Sequence, residues 1–201
     1  FAYGKAFDKS TATIAKGVKF YIKSNPVADV QRALKAEPPR DRTLSAEEVF
    51  QLWRDLDNHG MASTRKSLLR LMLATGARVE ALSTLKWSQI NWEQRYLTVL
   101  PANSKKGNFW VIPLNDVAMD VVKNIPRMHD EIVFPADSGN GVMRTDSISK
   151  ALNRFCQQTG MEPFQPRDLR TTFKTLTGEI GISKEVRDRI QNHAFSDVSS
   201  K

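Results

Sequence analysis

Residues 162–193 read EPFQPRDLRTTFKTLTGEIGISKEVRDRIQNH, and the reading of this stretch decides the fold. Pro166 suits the opening of a helix, because its missing N–H would find no intrahelical partner there anyway. Leu169, Phe173, Leu176 and Ile180 recur at steps of four, three and four, which predicts one apolar stripe turned to the core. Gly181 suits the stop. Arg167, Arg170 and Lys174 sit on a different face, where like charges repel by roughly 0.2–0.5 kcal/mol per pair. No acidic residue on that face offsets them. Ser183 then caps a second helix, with Glu185 in its first turn, and that helix carries the chain to His193. Two readings stay open from this stretch alone. One is a solvated basic face followed by a surface histidine; the other is an anion pocket where two arginines and a histidine converge on one phosphate.

Working outward, the whole chain has the charge for such a pocket. Its 201 residues carry 30 Lys and Arg against 22 Asp and Glu, a formal charge of +8 that favours polyanionic partners such as nucleic acid. Cys156 is the only cysteine, so an intrachain disulfide and a cysteine-based metal cluster are both excluded. His59, His129 and His193 lack ligand spacing, and no metal site is expected. No apolar run approaches the roughly 20 residues that span a bilayer, and the first residues lack a signal-peptide pattern. The expected setting is a reducing, nucleic-acid-containing compartment, the cytoplasm.

Upstream, residues 1–24 read as a helix followed by an apolar and basic segment that ends at Asn25-Pro26. The cluster EPPRDR at 37–42 reads as a linker. Ser45 with Glu48 forms a capping box, and Val49, Leu52, Trp53 and Leu56 give the apolar face of a helix ending near His59-Gly60. A second helix, 63–74, carries Leu68, Leu69, Leu71, Met72 and Leu73, so it is apolar on most sides and predicted to be central. Gly76 ends it. Helical spacing restarts through Val79, Leu82 and Leu85, which places Arg78 at a helix start, as a tether to carbonyls or as a working cation. Segments 96–100 and 109–114 predict a β-hairpin whose connection, NSKKGN, is basic. Asn115-Asp116 caps a further helix, 131–136 reads as extended, and 137–141 as a loop. Thr145 or Asp146 caps a helix with Ile148, Leu152 and Phe155 inward, ending at Gly160. The predicted class is mainly α with a small β-hairpin, α+β.

Taken together and in this order, TGARVEALSTLKW at 75–87, SKKGNFWVIPL at 104–114, RDLRTTF at 167–173 and QNH at 191–193 resemble the catalytic domain of tyrosine recombinases, the phage-integrase family. The resemblance covers residues 43–201, with 36–42 as linker and 1–35 similar to the end of that family's core-binding domain. It implies site-specific breaking and rejoining of DNA through a 3′-phosphotyrosyl intermediate, with Arg78, Lys105, Arg167, Arg170 and His193 around one scissile phosphate. Lys105, with Lys106 as near alternative, would protonate the departing 5′ oxygen; no metal or other cofactor is implied. The implied partners are double-stranded DNA carrying an attachment site and further protomers in a tetramer, with no membrane, the chain by itself being monomeric.

Three departures qualify the resemblance. Arg167 stands where the family usually has His, replacing a proton acceptor by a permanent cation. Ala81 stands where an acid commonly supports the first arginine, which leaves Glu80 or another group to orient Arg78. The family's tyrosine lies about nine or ten residues past the histidine, whereas Lys201 is eight past His193, and Tyr3, Tyr21 and Tyr96 lie in other elements. The expectation is a protein that continues past Lys201, with residues 1–201 binding DNA without cleaving it. A type IB topoisomerase and a catalytically silent DNA-binding relative are the alternatives.

Overall fold

Ser45 opens the first helix of the computed structural model, which describes residues 42–100, 109–139 and 141–192. Its hydroxyl accepts from the Glu48 N–H at 3.2 Å, and the Glu48 carboxylate accepts from the Ser45 N–H at 2.9 Å, so the expected capping box is complete. Ser45→Ala removes one half of it. That change is expected to lower stability by about 1 kcal/mol, read as a fall of a few degrees in thermal denaturation.

Helix α1 (Ala46–Asn58) buries Leu52 and Leu56 and half-buries Val49 and Trp53, as its apolar spacing predicts. Helix α2 (Ser63–Thr75) is the centre of the core. Leu68, Leu69, Leu71, Met72 and Leu73 are all buried, which needs partners on several sides. Those partners are α1, α3 (Val79–Ser83), α4 (Asp116–Lys123) and α6 (Pro166–Glu179). Gly76 ends α2 in the left-handed region at φ +64°, its N–H donating to Met72 O at 2.8 Å.

The helical spacing after Arg78 is cut short. Helix α3 stops at Ser83, where the Ser83 and Thr84 hydroxyls both donate to Glu80 O, at 3.2 and 3.0 Å. Such side-chain bonds compete with the helical N–H ladder. Leu85 is still buried, but from an irregular segment before the 3-10 turn Trp87–Gln89.

The small sheet is antiparallel in the order β1 (Ile90–Asn91), β2 (Tyr96–Val99), β3 (Trp110–Pro113). The β2–β3 hairpin is the expected one, with Val99 facing Trp110 and Tyr96 facing Pro113. Leu97, Val99, Trp110 and Ile112 turn inward, the alternation that makes one face of a sheet apolar. Asn115 caps α4, its side-chain oxygen accepting from Ala118 N at 2.8 Å. Segment 131–136 forms two isolated bridges, Lys86 with Ile132 and Pro135 with Val142, and no named strand.

Helix α5 (Thr145–Thr159) turns Ile148, Leu152 and Phe155 inward and ends at Gly160, as expected. Its cap differs from expectation. Arg144 occupies the N-cap without a side-chain bond, and Thr145 and Asp146 are the first helical residues. Asp146 acts there through its charge in the first turn.

Helix α6 opens on Pro166, with the Asp168 carboxylate accepting from Gln165 N at 2.8 Å. Its stop is a Schellman motif: Ile182 N donates to Thr177 O and Gly181 N to Gly178 O, both at 3.0 Å, with Gly181 at φ +88°. The predicted stripe is only partly core. Leu169 is buried, Phe173 and Leu176 are half-buried, and Ile180 is 77% exposed. Helix α6 lies on α2 and also meets α5 and the short α7 (Lys184–Ile190), none of whose residues is buried. Nor is the basic face without an acid. Lys174 Nζ pairs with Asp188 Oδ1 of α7 at 2.6 Å, a partner that spacing along one helix does not reveal. Among the described residues no helix is long and apolar enough to cross a membrane.

Candidate anion-binding site

Arg78 is delivered by a turn that has little freedom. Thr75 and Ala77 are buried, the Thr75 hydroxyl donates back to Leu71 O at 2.6 Å, and Ala77 N donates to the same hydroxyl at 3.3 Å. Arg78 then caps α3 through its backbone, with its carbonyl accepting from Ala81 and Leu82 N–H groups. Its side chain is half-buried, and among the described residues it makes no hydrogen bond or ion pair.

Arg170 makes the tether that sequence reasoning offered to Arg78. From one turn inside α6 its Nη1 donates to Gly76 O at 2.7 Å and its Nη2 to Gln191 O at 2.5 Å. One guanidinium thereby joins the turn before Arg78 to the turn after α7. A guanidinium has five N–H donors, so three remain after these two bonds. Burial first, and the like charge of Arg78 second, push Arg170 down from the ordinary guanidinium range to about 9, while the Glu80 carboxylate works the other way. It stays charged at neutral pH.

Two cations share a half-buried site, and an anion between them would relieve both their repulsion and their lost hydration. Arg167, one turn earlier on α6, is exposed. Glu80 pairs with neither arginine at bonding distance among the described residues, so its influence on Arg170 is that of a nearby charge, and Arg78 is oriented by its backbone turn. Ala81, at the position of the missing acid, is buried in the core.

The structure therefore brings Arg78 and Arg170 together. Lys105, with its alternative Lys106, and His193 lie outside the described residues. Their flanks are described: β3, which follows the lysines, rests against α7, which precedes the histidine. Asn192, immediately before His193, adopts φ +50°, a left-handed conformation that Asn tolerates better than most side chains. Sequence reasoning missed Gln191. A single Gln after a basic helix reads as solvated, yet it is 1% exposed. Among the described residues no group of three or more His, Cys, Asp or Glu is placed to hold a metal ion.

A mostly helical domain with a small three-stranded antiparallel sheet defines the class, and comparison with known proteins supplies the family. The profile of the phage integrase family matches residues 42–197. Prophage integrase IntZ of Escherichia coli K12 is 29% identical over 167 residues, which cover 80% of this chain and 40% of that protein. The integrase of Salmonella phage P22 is 26% identical over 74% of this chain and 41% of its own length, and tyrosine recombinase XerD of Listeria innocua 25% over 79% and 56%. Among solved structures, a lambda integrase tetramer bound to a Holliday junction aligns with a TM-score of 0.66 at 24% identity, covering 99% of this chain and 58% of that one. The Tn1549 transposon integrase in complex with circular intermediate DNA aligns at 0.65 and 15% identity, over 96% and 70%. The chain belongs to the phage integrase family, the tyrosine recombinases, and has the fold of their catalytic domain. It spans about two-fifths to just over half the length of these curated relatives.

Proposed function

We propose that the full-length protein is a site-specific DNA recombinase, an integrase, whose catalytic domain occupies residues 43–201 after a linker at 36–42 and the end of a core-binding domain at 1–35. The observation that carries this reading is the bond of the Arg170 guanidinium to the Gly76 carbonyl at 2.7 Å, two residues before Arg78, which sets two cations near enough for Arg170 to feel the charge of Arg78. In the reaction a tyrosine oxygen attacks the scissile phosphorus, the bond to the 5′ oxygen breaks, and the departing oxygen takes a proton from Lys105, or Lys106. The two arginines meet the charge on the equatorial oxygens. Each such donor contributes on the order of 3–4 kcal/mol if the oxyanion-hole figure transfers. Arg167 adds a phosphate contact, and His193 bonds the phosphate or assists the proton of the nucleophile. The ester bond energy is kept in the phosphotyrosine, so rejoining needs no energy-rich cofactor.

Tyr96 does not serve as that nucleophile. It sits at the end of β2 remote from the hairpin connection, with its hydroxyl accepting from Asn91 Nδ2 at 3.2 Å. The nucleophile proposed here lies past Lys201, so residues 1–201 alone bind DNA without forming the adduct. On DNA the full-length protein works as a tetramer across paired sites. Integrases and recombinases among the relatives favour this reading over a type IB topoisomerase.

The test is incubation of the full-length protein with end-labelled, sheared genomic DNA from its source, followed by detergent. A detergent-resistant protein–DNA complex is expected, absent with residues 1–201. Absence from both, with binding retained, favours the silent DNA-binding relative to which Arg167 in place of His lends support. In either case noncovalent binding is expected to weaken by on the order of 10³-fold between about 50 and 200 mM salt, if about six phosphates are neutralised. A salt-independent affinity would exclude DNA as the partner.

A further inference from the structure

We infer that Gln191 is a positioning residue that holds the Arg170 guanidinium in register with Arg78; its catalytic consequence rests on the recombinase reading. A buried amide is unfavourable unless its polar atoms are bonded. Gln191 Nε2 donates to Arg170 O at 3.0 Å, on a carbonyl whose second lone pair is open to it, while Arg170 Nη2 donates to Gln191 O at 2.5 Å. The two bonds are crossed: each side chain grips the other residue's backbone. Such a pair fixes position and orientation together, as a single bond cannot.

The same amide also seats the third member. A Cβ built on Gly76 would lie 2.9 Å from Gln191 Nε2, so the amide packs directly on the turn whose carbonyl takes the other arm of Arg170. Three backbone segments, the Gly76 turn, α6 and the end of α7, therefore meet on two side chains. Helix α7 has other holds, Lys174 to Asp188 and Arg187 Nη1 to Lys174 O at 2.8 Å. Loss of the Gln191 amide is thus expected to leave α7 docked while releasing the guanidinium.

Gln191→Met keeps the volume and removes the donor. In the full-length protein, adduct formation on the labelled genomic DNA is expected to slow about tenfold, because small displacements of a catalytic group are expensive in rate. DNA half-saturation is expected to stay within about twofold. On an Arg170→Lys background, where one ammonium cannot hold two carbonyls, the same change should slow the reaction by less than about twofold further. Equal factors on both backgrounds mean a general structural effect and overturn the inference. A second readout needs no activity. Nitrogen-15 NMR should show resolved, slowly rotating Arg170 Nη groups in the wild type and averaged ones in Gln191→Met. Unchanged Arg170 resonances overturn the inference whether or not an adduct forms. Resonances that average in the variant of a protein forming no adduct uphold it and overturn the recombinase reading instead.

Discussion

Arg170→Ala in the full-length protein is expected to abolish the covalent protein–DNA adduct while leaving DNA binding largely intact. The two effects separate because affinity is spread over many phosphate contacts from a chain of charge +8, whereas the scissile phosphate is addressed by few groups. Removal of one preorganised donor to a developing oxyanion lowers a rate by about 10²–10³. Here more than a donor is lost. The Gly76 and Gln191 carbonyls, now at 2.7 and 2.5 Å from the guanidinium, lose their shared partner, so the Arg78 turn and the turn leading to His193 both loosen. Each carbonyl left unbonded costs about 1–3 kcal/mol where water does not reach it, so a lower melting temperature is expected alongside the lost adduct. Arg170→Lys sorts the two contributions. It keeps the charge but cannot reach both carbonyls, and its adduct rate is expected between those of wild type and alanine. The measurement is detergent-resistant label against time, paired with a melt and a binding isotherm. An Arg170→Ala protein that still forms adduct within about tenfold of the wild-type rate would remove Arg170 from the reaction.

What the sequence made legible was what neighbours along the chain determine. The Ser45–Glu48 capping box, the stop at Gly76, the Schellman end at Gly181 and the buried face of α2 all follow from residues within a turn or two of one another. The β2–β3 hairpin was legible for the same reason, but β1 was not, since two residues show no alternation. Arg78 and Arg170 could be named from their motifs. Which of them holds the carbonyls could not, because the deciding bond joins residues 94 apart in sequence. Lys174 appeared unbalanced only because its acid, Asp188, belongs to the next helix. The stripe on α6 fades at Ile180 because an amphipathic pattern specifies a face and not the length over which another element covers it. Gln191 is the sharpest case: the sequence assigned it no role, and its burial goes with the bond its amide donates to the Arg170 carbonyl of the preceding helix and with its seat on the Gly76 turn.

Gly76→Ala is expected to be among the most destabilising single changes in the domain, for two separable reasons. At φ +64° any L side chain is strained by about 1–2 kcal/mol. The new Cβ would also lie 2.3 Å from Phe173 Cδ1 and 2.8 Å from Phe173 Cγ, so the ring or the backbone must move. Overpacking of that kind costs about 1–3 kcal/mol. The sum, about 2–5 kcal/mol, is a large share of the roughly 5–15 kcal/mol that stabilises a typical domain, and a fall in melting temperature on the order of 10 °C is expected. Gly181→Ala isolates the first reason. It has φ +88° with nothing within 4 Å of the added methyl, so only the backbone strain should appear. Gly76→Ala combined with Phe173→Leu isolates the second. Shrinking the ring should return its share of the steric part and leave the backbone strain seen in Gly181→Ala together with the 2.9 Å approach to Gln191 Nε2, apart from what Phe173→Leu costs by itself. A double variant no more stable than additivity allows would mean that the ring does not obstruct the methyl. The tight seat of Gly76 against α6 would then not be what holds its carbonyl toward Arg170.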